Sequence, residues 1–95
     1  MGCLRLCMGT RRALVNNNEM KLTGLEFNLL NLMIMHSPNL LPRRTINQQL
    51  FQGAANKEQT MNMHISNLRK KLFKYSSGLY IQSMRGQGYY LLEGH

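Results

Sequence analysis

Acidic residues are scarce in this chain: Glu19, Glu26, Glu58 and Glu93 are the only four, and aspartate is absent. Without an acidic cluster, metal-assisted phosphodiester chemistry has nothing to hold its ions. Cysteine is also rare. Cys3 and Cys7 stand in what reads as a strand, so at about 3.3 Å per residue they lie roughly 13 Å apart, too far for a disulfide. His36, His64 and His95 are scattered and complete no ligand set, so no metal or other cofactor is expected and both thiols read as reduced and structural. No apolar run approaches the length that spans a bilayer, so no membrane span is expected. The start Met1-Gly2-Cys3-Leu4-Arg5 lacks the apolar core of a signal peptide, so the cytoplasm is the expected compartment.

What the chain has in excess is positive charge. Twelve Lys and Arg against four acids give a formal net charge of +8 on 95 residues and a pI near 10.1. Self-repulsion of this kind does nothing for a fold, and it implies a polyanionic partner, either nucleic acid or an acidic membrane surface, of which nucleic acid is expected and the membrane is not. A hydrophobic fraction of 43% is that of a folded domain rather than a disordered one, and the length allows a single domain with a modest core.

The stretch from Glu58 to Lys74 carries most of the argument. At 100° per residue, Met61, Ile65, Leu68 and Leu72 fall on one narrow stripe, the 4-3-4 spacing of a helix docked on a core. Opposite lie Gln59, Met63, Ser66, Asn67, Lys70 and Lys74, with Thr60, His64, Arg69 and Lys71 on the flanks. A surface helix that is merely solvated mixes both signs of charge. This one has no acid after Glu58, and its outward Ser66-Asn67 pair suits base edges, so the face matches the width and potential of a major groove.

Around this helix the chain reads in order. Residues 3–22 alternate and turn as short antiparallel strands, with Leu4, Leu6 and Met8 pointing one way. Gly9-Thr10 is a turn, Arg11 to Val15 a second strand, Asn16-Asn17-Asn18 a tighter turn, and Met20-Lys21-Leu22 a third strand. Thr23-Gly24-Leu25-Glu26 is a capping box that opens a mostly apolar helix over 23–36, on which Glu26, Asn28 and Asn31 form a thin wet edge. His36-Ser37-Pro38-Asn39 ends it, with His36 expected on the last free carbonyls rather than in a site. Pro42 opens a second helix over 42–51, and residues 52–57 form a small-residue, polar connection. Beyond Ser76-Ser77-Gly78, residues 79–92 read as a hairpin around Arg85-Gly86-Gln87-Gly88. Gly86 and Gly88 let the tip bend, and the lone Arg85 there suits a narrow, A·T-rich minor groove.

Three runs, Leu22-Thr23-Gly24-Leu25-Glu26-Phe27, Met63 to Leu72, and Met84-Arg85-Gly86-Gln87-Gly88-Tyr89, occur in an order and spacing that resembles the OmpR/PhoB family of winged-helix effector domains from bacterial two-component response regulators. The run His64 to Arg69 resembles that of the family's CpxR-like branch. The resemblance covers residues 4 to 92. It implies an α+β winged helix-turn-helix: a four-stranded N-terminal antiparallel sheet, three helices and a C-terminal β-hairpin wing. A fourth strand is therefore expected within residues 3–22.

The resemblance also implies that residues 58–74 enter the major groove and Arg85 the minor groove of double-stranded DNA. Thr60, His64 and Arg69 match phosphate contacts, Met63, Ser66, Asn67 and Lys70 match positions facing bases or adjacent phosphates, and Ser83 matches a further backbone contact. With Lys74, Arg85 and Gly86 these make up the expected DNA-binding set. Binding to a direct-repeat operator as a tandem dimer, and an RNA polymerase contact through residues 52–57, follow from the family alone. Gln59 stands where the family usually has arginine, Asn62 where aspartate is common and Pro42 where serine is common. No phosphorylatable aspartate is present, so either a receiver domain is missing from this chain, which is the expectation, or the regulator works without one. A nonspecific or RNA-binding module is the alternative, which the basic charge equally permits; single-strand recognition would want an exposed aromatic platform that the sequence does not offer. An enzyme is disfavoured, since His64 and Ser66 diverge on one helix with no carboxylate to complete a triad.

Overall fold

The computed structural model describes residues 4–55, 57–75 and 78–94. Cys3, Asn56, Ser76, Ser77 and His95 lie outside the described residues, and with them the expectations placed on Cys3 and on the Ser76-Ser77 break. The described chain runs β1 (Leu4–Cys7), β2 (Arg12–Val15), β3 (Asn18–Met20), α1 (Gly24–His36), β4 (Leu41–Pro42), α2 (Arg43–Phe51), α3 (Glu58–Tyr75), β5 (Leu79–Met84) and β6 (Gly88–Glu93). It is α+β, with two three-stranded antiparallel sheets ordered β1-β2-β3 and β4-β6-β5.

The third strand comes earlier than its sequence reading. Asn16 and Asn17 both take positive φ, 52° and 68°, which makes a two-residue hairpin turn and leaves Asn18 paired opposite Val15. Asn18 is therefore strand rather than turn, and Lys21-Leu22 lie past the strand's end. No fourth strand joins this sheet among the described residues; the additional strand, β4, pairs with β6 instead. Met8 sits beyond the end of β1 and is exposed, while Leu4 and Leu6 face inward.

Helix α1 begins as its capping box requires. Glu26 N–H donates to Thr23 Oγ1 at 3.1 Å and Glu26 Oε1 accepts from Thr23 N–H at 3.0 Å. Its Phe27, Leu29, Leu30 and Met33 are buried, and His36 Nδ1 lies 3.0 Å from the Leu32 carbonyl, as expected of a last-turn histidine. Glu26 itself departs from the sequence reading: it is only 2% exposed, so it belongs to the interior and not to a wet edge. A carboxylate this buried requires a partner, and Lys71 of α3 supplies it at 2.5 Å.

Pro42 is the residue before α2, not its first turn, because it ends β4 and its extended backbone caps the helix that starts at Arg43. The four stripe residues of α3, Met61, Ile65, Leu68 and Leu72, are all buried against the core formed by both sheets and α1. Burying each of them is worth about 1.5–3 kcal/mol, enough to hold the helix rigidly by one face.

Candidate nucleic-acid interface

With its apolar stripe committed, α3 offers solvent the face opposite. Gln59, Met63, Ser66, Lys70 and Lys74 are exposed, Met63 to 54%. Thr60, His64 and Asn67 are half-buried on the flank, so Asn67 lies to the side of the outward face rather than at its centre. Lys74 Nζ also stands 5.4 Å from the Tyr75 ring centroid. His64 Nδ1 is buried with no hydrogen-bond partner, as is Asn47 Oδ1 on α2.

Two of the helix's cations are already engaged within the protein. Lys71 holds Glu26. Burial pushes the Glu26 carboxyl up, but hydrogen bonds from Lys71 and from the Thr23 backbone, with the Lys71 charge, outweigh it and hold the group below the ordinary carboxylate range. Arg69 turns toward the hairpin, where Nε donates to the Ile81 carbonyl at 3.2 Å and Nη2 donates to Ser83 Oγ. Arg69 and Ser83, both expected at the DNA backbone, are therefore joined to each other.

The hairpin formed by β5 and β6 stands beside α3. Its tip is Arg85-Gly86-Gln87, closed by Gln87 N–H donating to Met84 O at 2.9 Å, with Gly86 at φ 76° and Arg85 exposed. Gly88 lies within β6 rather than at the tip, and its role is close approach: a Cβ there would collide with the Leu41 carbonyl of β4. Among the described residues, the structure brings the exposed face of α3 and the arginine-tipped hairpin to adjoining positions.

A cluster that sequence reasoning passed over sits between them. Arg43, the first residue of α2, donates through Nη1 to Tyr89 Oη at 2.6 Å and through Nη2 to Asn62 Oδ1 at 3.3 Å, and its own N–H donates to Gln87 O at 3.0 Å. Tyr89 Oη in turn donates to Asn62 Oδ1 at 3.2 Å. The only signal in the sequence was Asn62, where the family commonly carries aspartate. Nearby, Arg43, Arg44, Asn47, Lys57, Glu58 and Met61 help line a cleft of about 210 Å³ between α2 and the start of α3.

This arrangement, a docked helix with a polar cationic face and a hairpin wing beside it, is that of the winged-helix DNA-binding domains of response regulators. The chain belongs to the family described as "Transcriptional regulatory protein, C terminal", the OmpR/PhoB type, whose model matches residues 17–91. It is 32% identical over 91 residues to the transcriptional regulatory protein CpxR of Klebsiella pneumoniae, a match covering 94% of this chain and 39% of that protein. The chain thus spans about two fifths of the length of the curated relative. The DNA-binding domain of CpxR from Escherichia coli superposes with a TM-score of 0.86 at 29% identity, covering all of this chain and 95% of that one. The RstA DNA-binding domain of Klebsiella pneumoniae, solved in complex with the RstA box, shares the fold with a TM-score of 0.80 at 24% identity, over 99% of this chain and 94% of that one. The expected likeness to CpxR-type members of the family is thus met over the chain as a whole.

Proposed function

We propose that this domain binds double-stranded DNA sequence-specifically as the output domain of a response-regulator transcription factor. The observation that carries the proposal is the outward face of α3. Its Met63, Ser66 and Lys70 stand clear of the protein on a helix held by four buried side chains, with an exposed Arg85 on the adjoining hairpin. Ser66, Asn67 and Lys70 discriminate bases, and Met63 offers an apolar contact of the kind that meets a thymine methyl. Thr60, His64, Arg69, Lys74 and Ser83 neutralise or bond the phosphate backbone and so supply affinity. Arg85, with Gly86 allowing the tight tip, enters the minor groove.

Two copies bind a direct-repeat operator head to tail, one α3 per half-site. Residues 52–57 form a surface for RNA polymerase, a receiver domain belongs upstream in the full regulator, and the protein works in the bacterial cytoplasm without catalysing a reaction. No helix among the described residues is long and apolar enough to cross a membrane.

Selection of bound duplexes from a random pool, followed by anisotropy titration of the winner across salt concentrations, tests the proposal. Enrichment of a short motif repeated at about one helical turn, roughly 10 base pairs, is the expected result. Binding that enriches no motif and simply falls away with salt would leave only the nonspecific nucleic-acid module.

A further inference from the structure

The wing of this domain is tied to the recognition helix at two points that meet on a single rung of its ladder. Asn62 and Arg69 are seven residues apart on α3, and so share one flank of the helix. Asn62 Oδ1 accepts from Tyr89 Oη of β6 and from Arg43, while Arg69 donates to Ile81 O and Ser83 Oγ of β5. Ser83 and Tyr89 are cross-strand partners, and the next residue but one after Ser83 is Arg85 at the tip. Behind the wing, Leu41 pairs with Tyr89 and Pro42 with Gly88, at an approach only glycine permits, and Arg43 N–H holds the tip residue Gln87 directly.

Resting on the DNA-binding reading, we infer that Arg43, Asn62 and Tyr89 are positioning residues that fix the offset of Arg85 from α3, and through it the base-pair spacing between the major-groove motif and an A·T-rich flank. The physical reason is leverage. The tip lies about 7 Å beyond the clamped rung at roughly 3.3 Å per residue, so it cannot swing far while that rung is held. Moving an A·T tract by one base pair displaces its groove by about 3.4 Å along the axis and turns it about a tenth of a helical turn. A clamped wing cannot follow this; a loosened wing can. Asn62 is suited to the task because one neutral amide oxygen receives both the tyrosine and the arginine donors.

The test compares duplexes carrying the selected core motif with the A·T flank at its selected position, shifted by one base pair, or replaced by G·C. The wild-type domain is expected to lose about tenfold in affinity on the one-base-pair shift. Tyr89→Phe keeps the buried ring and removes only the hydroxyl, and Asn62→Ala removes the shared acceptor. Both are expected to reduce that spacing penalty to about twofold while binding the G·C-flanked core as the wild type does. Asn62→Asp keeps the acceptor and is expected to retain the full penalty.

Variants that fold and keep the tenfold penalty would overturn the clamp, as would a uniform loss of affinity for all three duplexes or a wild-type domain indifferent to the shift. Failure of the wild type to select any core motif would instead remove the DNA-binding reading on which the inference rests.

Discussion

Replacing Lys71 by methionine isolates the buried ion pair that joins α1 to α3. The change keeps the length and apolar stem of the side chain and deletes its charge, leaving Glu26, 2% exposed, with Thr23 as its remaining hydrogen-bond partner. Removing one partner of a buried pair costs about 3–5 kcal/mol. Lys71 is itself 33% exposed in its side chain, so part of the attraction it gives up is screened and the lower figure, about 3 kcal/mol at pH 7, is the one expected. For a domain of this size that corresponds to a fall in Tm of roughly 12–24 °C.

The pH dependence makes the prediction specific. In the wild type the Glu26 carboxyl is held below its ordinary value, so its contribution is complete above the unfolded pKa of about 4.3 and is lost as pH falls through the lower folded value. In Lys71→Met the burial that pushes the carboxyl up is opposed by Thr23 alone, so the carboxyl titrates higher than in the wild type and acid relieves the uncompensated charge. Urea denaturation of both proteins from pH 7 down to pH 3.5 should show a stability difference that is largest at neutrality and shrinks on acidification. A difference under about 1 kcal/mol at pH 7, or one that does not change with pH, would refute the reasoning. The same variant should keep the wild-type salt slope for DNA, because Lys71 is spent inside the protein; a slope reduced by about one would mean that it meets a phosphate.

Arg69→Ala should weaken binding to every sequence and flatten the salt slope, and should also lower stability by about 1 kcal/mol, since two hydrogen bonds to β5 disappear with the charge; a variant of unchanged stability would separate the helix from the wing. For Asn67→Ala, titration against the selected duplex and single-base variants should show discrimination reduced by about 1–3 kcal/mol with the salt slope unchanged. Arg85→Ala should hurt A·T-flanked sites most, and equal losses with G·C flanks would remove the minor-groove role. Gly88→Ala should destabilise the domain by about 1–3 kcal/mol in thermal or urea unfolding, because its Cβ has no room beside the Leu41 carbonyl.

What could be read directly from the sequence was whatever a local period or a short-range hydrogen bond determines. The stripe of Met61, Ile65, Leu68 and Leu72 follows from helical geometry, and all four are buried. The capping box of Thr23 and Glu26 acts over three residues and forms as read. The hairpin about Arg85 follows from glycine and strand propensity, and its tip holds Arg85 and Gly86 as expected, although Gly88 belongs to β6. Even the small error at β3 was a local one: two asparagines at positive φ suffice for the turn, so the third enters the strand.

Only the tertiary structure decided which polar residues face inward. Glu26 reads as surface because every acid does until its partner is known, and its partner lies 45 residues away. Helical periodicity sets Arg69 and Lys71 on the flanks of α3 and Lys70 and Lys74 on its outer face, but that the flanking pair is bonded within the protein follows only from β5 and α1 packing on those two flanks. The β4–β6 pairing and the Arg43, Asn62 and Tyr89 cluster gather residues from four separate elements. Periodicity records which face of a helix is apolar; which polar atom meets which other depends on how whole elements dock, and that is a property of the folded chain.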